Sequence, residues 1–212
     1  MKKQPEPLET LTEIRSMMER STRFISLNGF SGVFAGIFAL MGALAAYNYL
    51  HISIIHPRYF DYSATTEGTA NISLYLFFFI DAILVLTASI SVALYLSIRK
   101  SHKKGLKIWD SSAKRVLYNM LIPLTGGGLF CILLVYHGYL GLIAPSTLIF
   151  YGMALINTSK YTYNDIRYLG LIEIFIGLLA TLWIGFGLLF WAVGFGVMHI
   201  IYGIIMYYKY ER

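Results

Sequence analysis

Long, almost uninterrupted apolar stretches fill most of this chain, and they restrict its fold more than any other feature of the sequence. A helix needs about 20 consecutive apolar residues to cross the roughly 30 Å hydrocarbon core of a bilayer. In hydrocarbon, only helices and closed barrels satisfy every backbone N–H and C=O group, and these stretches are too long and too unbroken for alternating barrel strands. Because 57% of the residues are hydrophobic and only 13% are charged, we predict an all-α integral membrane protein rather than a soluble domain.

Six transmembrane helices are predicted, with bounds at about 24–49, 72–98, 116–136, 140–157, 168–183 and 186–208. The preceding segment, residues 1–23, is polar, and Leu8, Leu11, Ile14 and Met18 recur there at helical spacing. We predict that this segment is a cytoplasmic or interfacial amphipathic helix on the membrane surface, with a partner-docking helix as the alternative. Residues 24–212 then form one transmembrane domain.

The distribution of basic residues predicts the orientation of the chain. It has 17 lysines and arginines, and six spans place all of them except Arg58 on the side of the membrane that holds both termini. Cytoplasmic loops of membrane proteins are enriched in lysine and arginine, so both termini are predicted to be cytoplasmic. The net charge of +6 is interpreted as contact with anionic lipid headgroups, and a nucleic-acid partner is not expected.

The fifth and sixth spans each carry one ionisable residue on a stripe of small residues. Helical spacing gives the following stripes: Gly170, Glu173, Gly177 and Ala180 in span five, and Ala192, Gly196, His199 and Gly203 in span six. Small residues mark helix contacts in membranes, so Glu173 and His199 are expected to face the bundle. From the helical rise, they lie about 8 Å and 12 Å from the cytoplasmic ends of their spans. We therefore predict that they lie within hydrogen-bonding or single-water distance.

Three roles are open for this pair. It can be a polar staple for the bundle, joined by Asn28, Asn119 or a tyrosine; a proton-responsive pair or part of a ligand or ion path, the usual hypothesis for ionisable groups inside a membrane; or a catalytic pair. No serine, histidine and acid order, H-E-x-x-H motif or paired-acid motif is present. No catalytic residue is assigned, and no metal or cofactor is predicted, because His199 has no companion ligands at its depth.

Two further features of the spans suggest a transport path. Asp81 lies near the middle of the second span, where an ionisable side chain is costly. The third span contains Pro123, followed by Gly126, Gly127 and Gly128. Proline removes a backbone donor and glycine makes bending cheap, so this run predicts a kink or a local break. A kinked packing helix is the favoured outcome, and a discontinuous helix that exposes backbone groups, as in transporters, is the alternative.

Glycines at helix-contact positions are predicted to form the packing seams of the bundle. They are Gly32, Gly36, Gly170, Gly177, Gly196 and Gly203. Of these, Gly32 and Gly36 form a G-x-x-x-G pair in the first span. This pair predicts close packing with a helix of the same chain, with a homodimer seam as the alternative.

Two segments carry a resemblance to a known family. They are EIRSMMERSTRFISL at 13–27 and GLLFWAVGFGVMHIIYG at 187–203. They resemble those of a family of six-span bacterial inner-membrane proteins that has no assigned activity. The hairpin arrangement is also loosely similar to that of the small six-span acid-resistance membrane proteins. The first resemblance implies a location in the bacterial inner membrane and no particular chemistry.

These observations together favour a non-enzymatic membrane protein with a structural, accessory or sensory role. A homo-oligomer or a membrane partner subunit is compatible with that role. The alternative is a small proton-linked transporter or channel that uses Asp81, the Pro123 region and the Glu173 and His199 pair. A membrane enzyme that acts on a lipid or a quinone is the weaker alternative.

Overall fold

The structure is a computed structural model that describes residues 29–51, 71–103, 105, 109 and 111–212. The predicted amphipathic helix at 1–23, the start of the first span and most of the loop between the first two spans lie outside these residues. All statements below concern the described part of the chain.

The described chain is all-helical, as the sequence predicts. Helix α1 is Gly29–Leu50, α2 is Ile72–Lys103, α3 is Ser111–Tyr136, α4 is Ile143–Thr158 and α5 is Ile166–Leu182. The last helix begins as α6, Gly187–Trp191, continues as a π-helical segment, Ala192–Met198, and ends as α7, His199–Tyr210. Short 3-10 turns lie at Leu140–Leu142, Ser159–Tyr161 and Ile184–Phe186.

Five helical segments are long and apolar enough to cross a membrane. They are Gly29–Leu50, Ile72–Lys103, Ser111–Tyr136, Leu140–Tyr161 and Ile184–Tyr210. Helix α5 is shorter, with 17 residues, which is at the lower end of the range of about 17 to 25 residues for spanning helices. The fold is therefore that of a helical membrane protein with at least five candidate spans.

Helices α2 and α3 extend beyond the predicted apolar spans into the basic connector. Helix α2 includes Arg99 and Lys100 and ends at Lys103, and α3 begins at Ser111. Lysine and arginine are good helix formers, and leaving the hydrocarbon does not by itself end a helix. The predicted span ends therefore mark a change of polarity, whereas the helices continue past it.

Small residues determine how α1 packs. Most of its buried residues are spaced three, four or seven positions apart, and they are Gly29, Gly36, Ala39, Gly42, Ala43, Ala46 and Leu50. A Cβ atom at Gly36 would lie 2.5 Å from the carbonyl oxygen of Gly196, and one at Gly32 would lie 3.2 Å from Cα of Gly203. The G-x-x-x-G pair of α1 is thus occupied by the last helix of the same chain.

Helices α4 and α5 form a second closely packed pair. A Cβ atom at Gly152 would lie 2.5 Å from the carbonyl oxygen of Gly170, and one at Gly170 would lie 2.6 Å from the carbonyl oxygen of Gly152. Gly177 also contacts α4. The glycines of the fifth and sixth predicted spans therefore contact different partners, because Gly196 and Gly203 contact α1 instead.

The last helix lies between α1 and the pair of α4 and α5, while α2 packs mainly on α1 and α3 mainly on α4. The edge helices α2 and α3 carry many exposed large apolar side chains, as expected of surfaces in contact with lipid. The first half of the last helix contacts both α4 and α5. The described chain thus places Glu173 and His199 at the centre of the bundle.

Candidate functional site

Glu173 is the most deeply buried charged side chain in the described bundle. It lies on the buried stripe of α5 together with Gly170, Gly177 and Ala180, and its exposed fraction is 0%. An ionisable group inside a membrane bundle is costly unless a partner compensates it. The groups around its carboxyl therefore determine what this position can do.

Gly194 of the π-helical segment provides the surface against which the Glu173 carboxyl packs. A Cβ atom at Gly194 would lie 2.5 Å from Oε2 of Glu173 and 2.5 Å from Cδ2 of Leu148. Only glycine leaves room for the carboxyl at this point. π-helical turns inside α-helices frequently occur at functional sites, and this one lies directly before His199.

His199 joins the last helix to both Glu173 and α4. Its Nδ1 atom lies 3.1 Å from the Gly194 carbonyl oxygen and 3.3 Å from Oε1 of Glu173. Its Nε2 atom lies 2.8 Å from the Tyr151 hydroxyl oxygen. The predicted proximity of Glu173 and His199 is therefore observed, and Tyr151 is a third member. We refer to these three residues as the Glu173–His199–Tyr151 network.

The surrounding acceptors indicate where the imidazole proton lies. Nδ1 faces a carbonyl oxygen and a carboxyl oxygen, both of which accept hydrogen bonds when the carboxyl is ionised. In the neutral imidazole, Nδ1 therefore carries the proton and donates to Gly194. Nε2 is then an acceptor, and the Tyr151 hydroxyl donates to it.

The Glu173 carboxyl is close to the His199 imidazole without a formed hydrogen bond. The distance of 3.3 Å to His199 Nδ1 is within ion-pair range, yet neither carboxyl oxygen has a hydrogen-bond partner in the described chain. The short distance and the missing hydrogen bond are compatible because the Nδ1–H bond points mainly at the Gly194 carbonyl oxygen. A fully buried carboxyl without a donor is stable only if it is protonated or if an adjacent cation balances its charge.

Aromatic rings pack against one side of the network. The Phe195 ring lies 5.0 Å from the Tyr151 ring and 5.9 Å from the His199 imidazole, measured between centroids. Trp191 packs on Phe195 at 5.1 Å. These rings exclude water and lower the local dielectric, so any change in charge inside the network has a large energetic effect.

Asp81 lies apart from this network. Its carboxyl faces α1, where a Cβ atom at Gly42 would lie 3.1 Å and 3.3 Å from the two carboxyl oxygens. It is only half-buried, and it sits in the contact of α1 and α2. The structure thus does not bring Asp81 and Glu173 together into one path.

Asn119 has a structural role in α3 rather than a place in the network. Its side chain donates to the Arg115 carbonyl oxygen at 2.8 Å. Its own carbonyl oxygen would normally accept from the N–H group four residues later, but that position is Pro123, which has none. The Asn157 side chain of α4 supplies the missing donor at 2.8 Å.

Of the two outcomes predicted for the third span, a kink or a local break, the break is not found, because α3 is continuous from Ser111 to Tyr136 with Pro123 inside it. Asn157 satisfies the carbonyl that Pro123 leaves free, which removes the main reason for the helix to open. Gly127 packs against Phe150, whereas Gly126 and Gly128 face open space. The interrupted helix of this bundle is the last one, at its π-helical segment.

Two carboxylates hold the chain terminus at one end of the bundle. Asp165 accepts hydrogen bonds from Lys209 at 2.6 Å and from Tyr210 at 2.8 Å. Glu211 accepts from the Gly29 N–H at 2.6 Å and from Lys100 at 3.0 Å. Burial alone would raise the pKa of Asp165, but its two hydrogen bonds and the Lys209 charge outweigh burial and lower it. These contacts fix the end of the last helix.

Comparison with known proteins does not add a family to this description. No family model, curated protein or solved structure matches the chain. The site is therefore interpreted from its own geometry.

Three functional candidates were not predicted individually from the sequence. Tyr151 lies in an ordinary apolar span, and one tyrosine among 17 carries no signal of its own. Gly194 resembles any other glycine of a packing seam. The hydroxyl of Tyr202 is buried without a hydrogen-bond partner in the described chain. A helical-wheel comparison would have placed Tyr202, one turn beyond His199, near the same face.

Proposed function

We propose that this chain is a non-enzymatic, six-span protein of the bacterial inner membrane with an accessory or sensory role, and that the Glu173–His199–Tyr151 network responds to protons. One observation carries the proposal. The Glu173 carboxyl is 0% exposed, lies 3.3 Å from His199 Nδ1, and has no hydrogen-bond donor in the described chain. Such a buried carboxyl is stable only when it is protonated or when an adjacent cation balances its charge, so its proton content matters to the fold.

The tight packing around the carboxyl supports a proton rather than a larger ligand. The space that a Cβ atom at Gly194 would need is already taken by Oε2 of Glu173 and by Leu148. No group of three or more histidine, cysteine, aspartate or glutamate side chains that could hold a metal ion occurs in the described chain. A proton needs no additional volume.

The bonding pattern supplies a mechanism for the response. When Glu173 is ionised and His199 is neutral, the network carries one negative charge and Nε2 accepts from Tyr151. Adding one proton at Nε2 makes the network neutral: the product is an imidazolium beside the carboxylate or, once Nδ1 passes its hydrogen to Glu173, a neutral imidazole beside a neutral acid. In both forms Nε2 carries a hydrogen and no longer accepts from Tyr151. The Tyr151 hydroxyl must turn to accept instead, so protonation changes the contact between α4 and the last helix. Histidine is suited to this role because its ordinary pKa is close to neutral pH.

Two observations support the six-span arrangement with both termini in the cytoplasm. Helix α5 has 17 residues, which is enough to cross a bilayer that thins slightly around it. With α5 as the fifth of six spans, every lysine and arginine except Arg58 lies on one side, as the positive-inside rule requires.

A distance measurement between spin labels tests the proposed response. Met153 on α4 and Ile204 on α7 are exposed, so cysteines at these positions in a Cys131→Ser background can carry labels without entering the core. We expect the distance distribution to change between neutral and acidic pH in the unaltered network. In Glu173→Gln, which cannot exchange this proton, the distribution should stay the same at both pH values.

Asp81→Asn is the matched control, because Asp81 is also an intramembrane acid but lies apart from the network. It should leave the pH response intact. If Glu173→Gln lowers thermal stability while the labelled protein shows no response in either form, the network is only a structural staple. Proton flux in liposomes that depends on Glu173 would instead favour the transporter.

A further inference from the structure

Tyrosine side chains form a row from the buried network to the end of the bundle that holds the chain terminus. Tyr151, Tyr202 and Tyr163 all pack against the same cluster of Leu155, Ile166 and Leu169. The Tyr163 ring contacts the Tyr210 ring with 4.2 Å between centroids. Tyr210 in turn donates its hydroxyl hydrogen to Asp165 at 2.8 Å.

Both ends of this row are bonded to ionisable groups. At the inner end, the Tyr151 hydroxyl lies 2.8 Å from Nε2 of His199, whose Nδ1 lies 3.3 Å from Glu173. At the outer end, Asp165 lies in the connector before α5 and accepts from Lys209 and Tyr210. The row therefore connects a buried carboxyl with a carboxylate near the surface.

Tyr202 occupies the middle of the row and is the residue whose role packing does not explain. Its hydroxyl oxygen is buried and has no hydrogen-bond partner in the described chain, and it lies within electrostatic reach of Tyr151, Tyr210 and Asp165. A buried hydroxyl without a partner is costly. Phenylalanine would pack there without that cost, so the hydroxyl points to a function beyond filling space.

We propose that this row of tyrosines is the route by which a proton reaches Glu173 from the side of the membrane on which Asp165 lies. This inference rests on the proposed function, in which Glu173 binds the proton. The Tyr202 hydroxyl exchanges with Tyr151 through rotation of its side chain or through one bridging water molecule.

The proton balance along this route closes without any further reactant. The O–H bond of Tyr151 breaks as Nε2 of His199 gains a hydrogen, and the Nδ1–H bond breaks as Glu173 gains one. Tyr151 regains its hydrogen from the Tyr202 hydroxyl, Tyr202 regains one from the outer tyrosines, and the outermost hydroxyl is restored by a proton from water at the Asp165 end. His199 is left with its hydrogen on Nε2, and it returns to the starting form when the proton leaves by the same row. One entrance that also serves as the exit fits a sensor better than a transporter.

The rate at which Glu173 gains a proton tests the route. The full-length protein in lipid nanodiscs is subjected to a rapid drop in pH, and the infrared carbonyl band of protonated Glu173 is followed with time. Glu173→Gln identifies the band. Tyr202→Phe should slow its appearance by about 100-fold, the lower end of the effect of a positioned proton-transfer group, and should leave its final amplitude unchanged.

The matched control is Tyr208→Phe, because Tyr208 lies on the same helix and is 59% exposed. It should not alter the rate. Tyr202→Phe should also keep the thermal stability, since the hydroxyl that it removes has no partner in the described chain. A rate in Tyr202→Phe equal to that of the unaltered protein, with the band intact, overturns the route alone. A band that never appears in the unaltered protein overturns the route and the proposed function together.

Discussion

The contact between Asn157 and the carbonyl group that Pro123 leaves free yields a quantitative prediction about α3. The Asn157 side chain donates to the Asn119 carbonyl oxygen at 2.8 Å. Asn157→Ala leaves that oxygen without a donor, at a cost of about 1 to 3 kcal/mol when the group is buried. Since the contact is only partly buried, a loss of about 1 kcal/mol is expected, near the lower end of that range.

The same substitution should cost much less once the helix can supply its own donor. In Pro123→Ala, the new backbone N–H donates to the Asn119 carbonyl oxygen, as in any α-helix. The double-mutant cycle of Asn157→Ala and Pro123→Ala should therefore give a coupling energy of about 1 kcal/mol. The free energies come from equilibrium unfolding in mixed micelles with a denaturing detergent. Additivity of the two substitutions to within about 0.3 kcal/mol would refute the reasoning.

Three further predictions concern the helix contacts and the chain terminus. Gly152→Ala should destabilise the bundle by about 1 to 3 kcal/mol through overpacking, because a Cβ atom there meets a carbonyl oxygen at 2.5 Å. Its control is Gly126→Ala, which should be neutral or stabilising in the same unfolding assay because Gly126 faces open space. Glu211→Ala leaves the Gly29 N–H without this acceptor and should lower the free energy of unfolding by about 1 kcal/mol. An unchanged unfolding midpoint would show that water replaces the contact. Burial raises the pKa of Asp165, but its hydrogen bonds and the neighbouring charge lower it overall. Its stabilising contribution is therefore complete above the ordinary value of 3.8 and is lost as the pH falls through the lowered value. Asp165→Asn should remove this part of the acid sensitivity in thermal unfolding measured against pH, and an unchanged acid limb would contradict the prediction.

The helical fold and the central pair follow from short-range patterns in the sequence. Apolar stretches identify the helices because a membrane helix must be apolar along its whole length. Glu173 and His199 could be paired because each lies on a stripe of small residues at a similar depth. The first pattern depends only on helical geometry. The pairing also takes spans five and six as antiparallel neighbours, which the short turn between them favours.

The rest of the site depends on contacts between distant parts of the chain. A proline inside a helix predicts a kink or a break, because it removes one backbone donor. The donor that preserves the helix at Pro123 is the side chain of Asn157, which lies 38 residues after Asn119, whose carbonyl oxygen it bonds. Tyr151 joins the network through a contact between α4 and the last helix, with a residue 48 positions away. The π-helical segment that contains Gly194 has no distinctive sequence pattern, because glycines also occur where ordinary helices pack closely together.

The central claim is that Glu173 exchanges a proton inside the bundle, and the infrared carbonyl region measures this directly. The equilibrium spectrum of the protein in lipid is recorded from neutral to acidic pH, over the range in which the helices remain folded. We predict a carboxylic acid band that appears on acidification, is absent in Glu173→Gln and is retained in Asp81→Asn. A Glu173 band of constant intensity at every pH, or the absence of any difference between the unaltered protein and Glu173→Gln, would contradict the account.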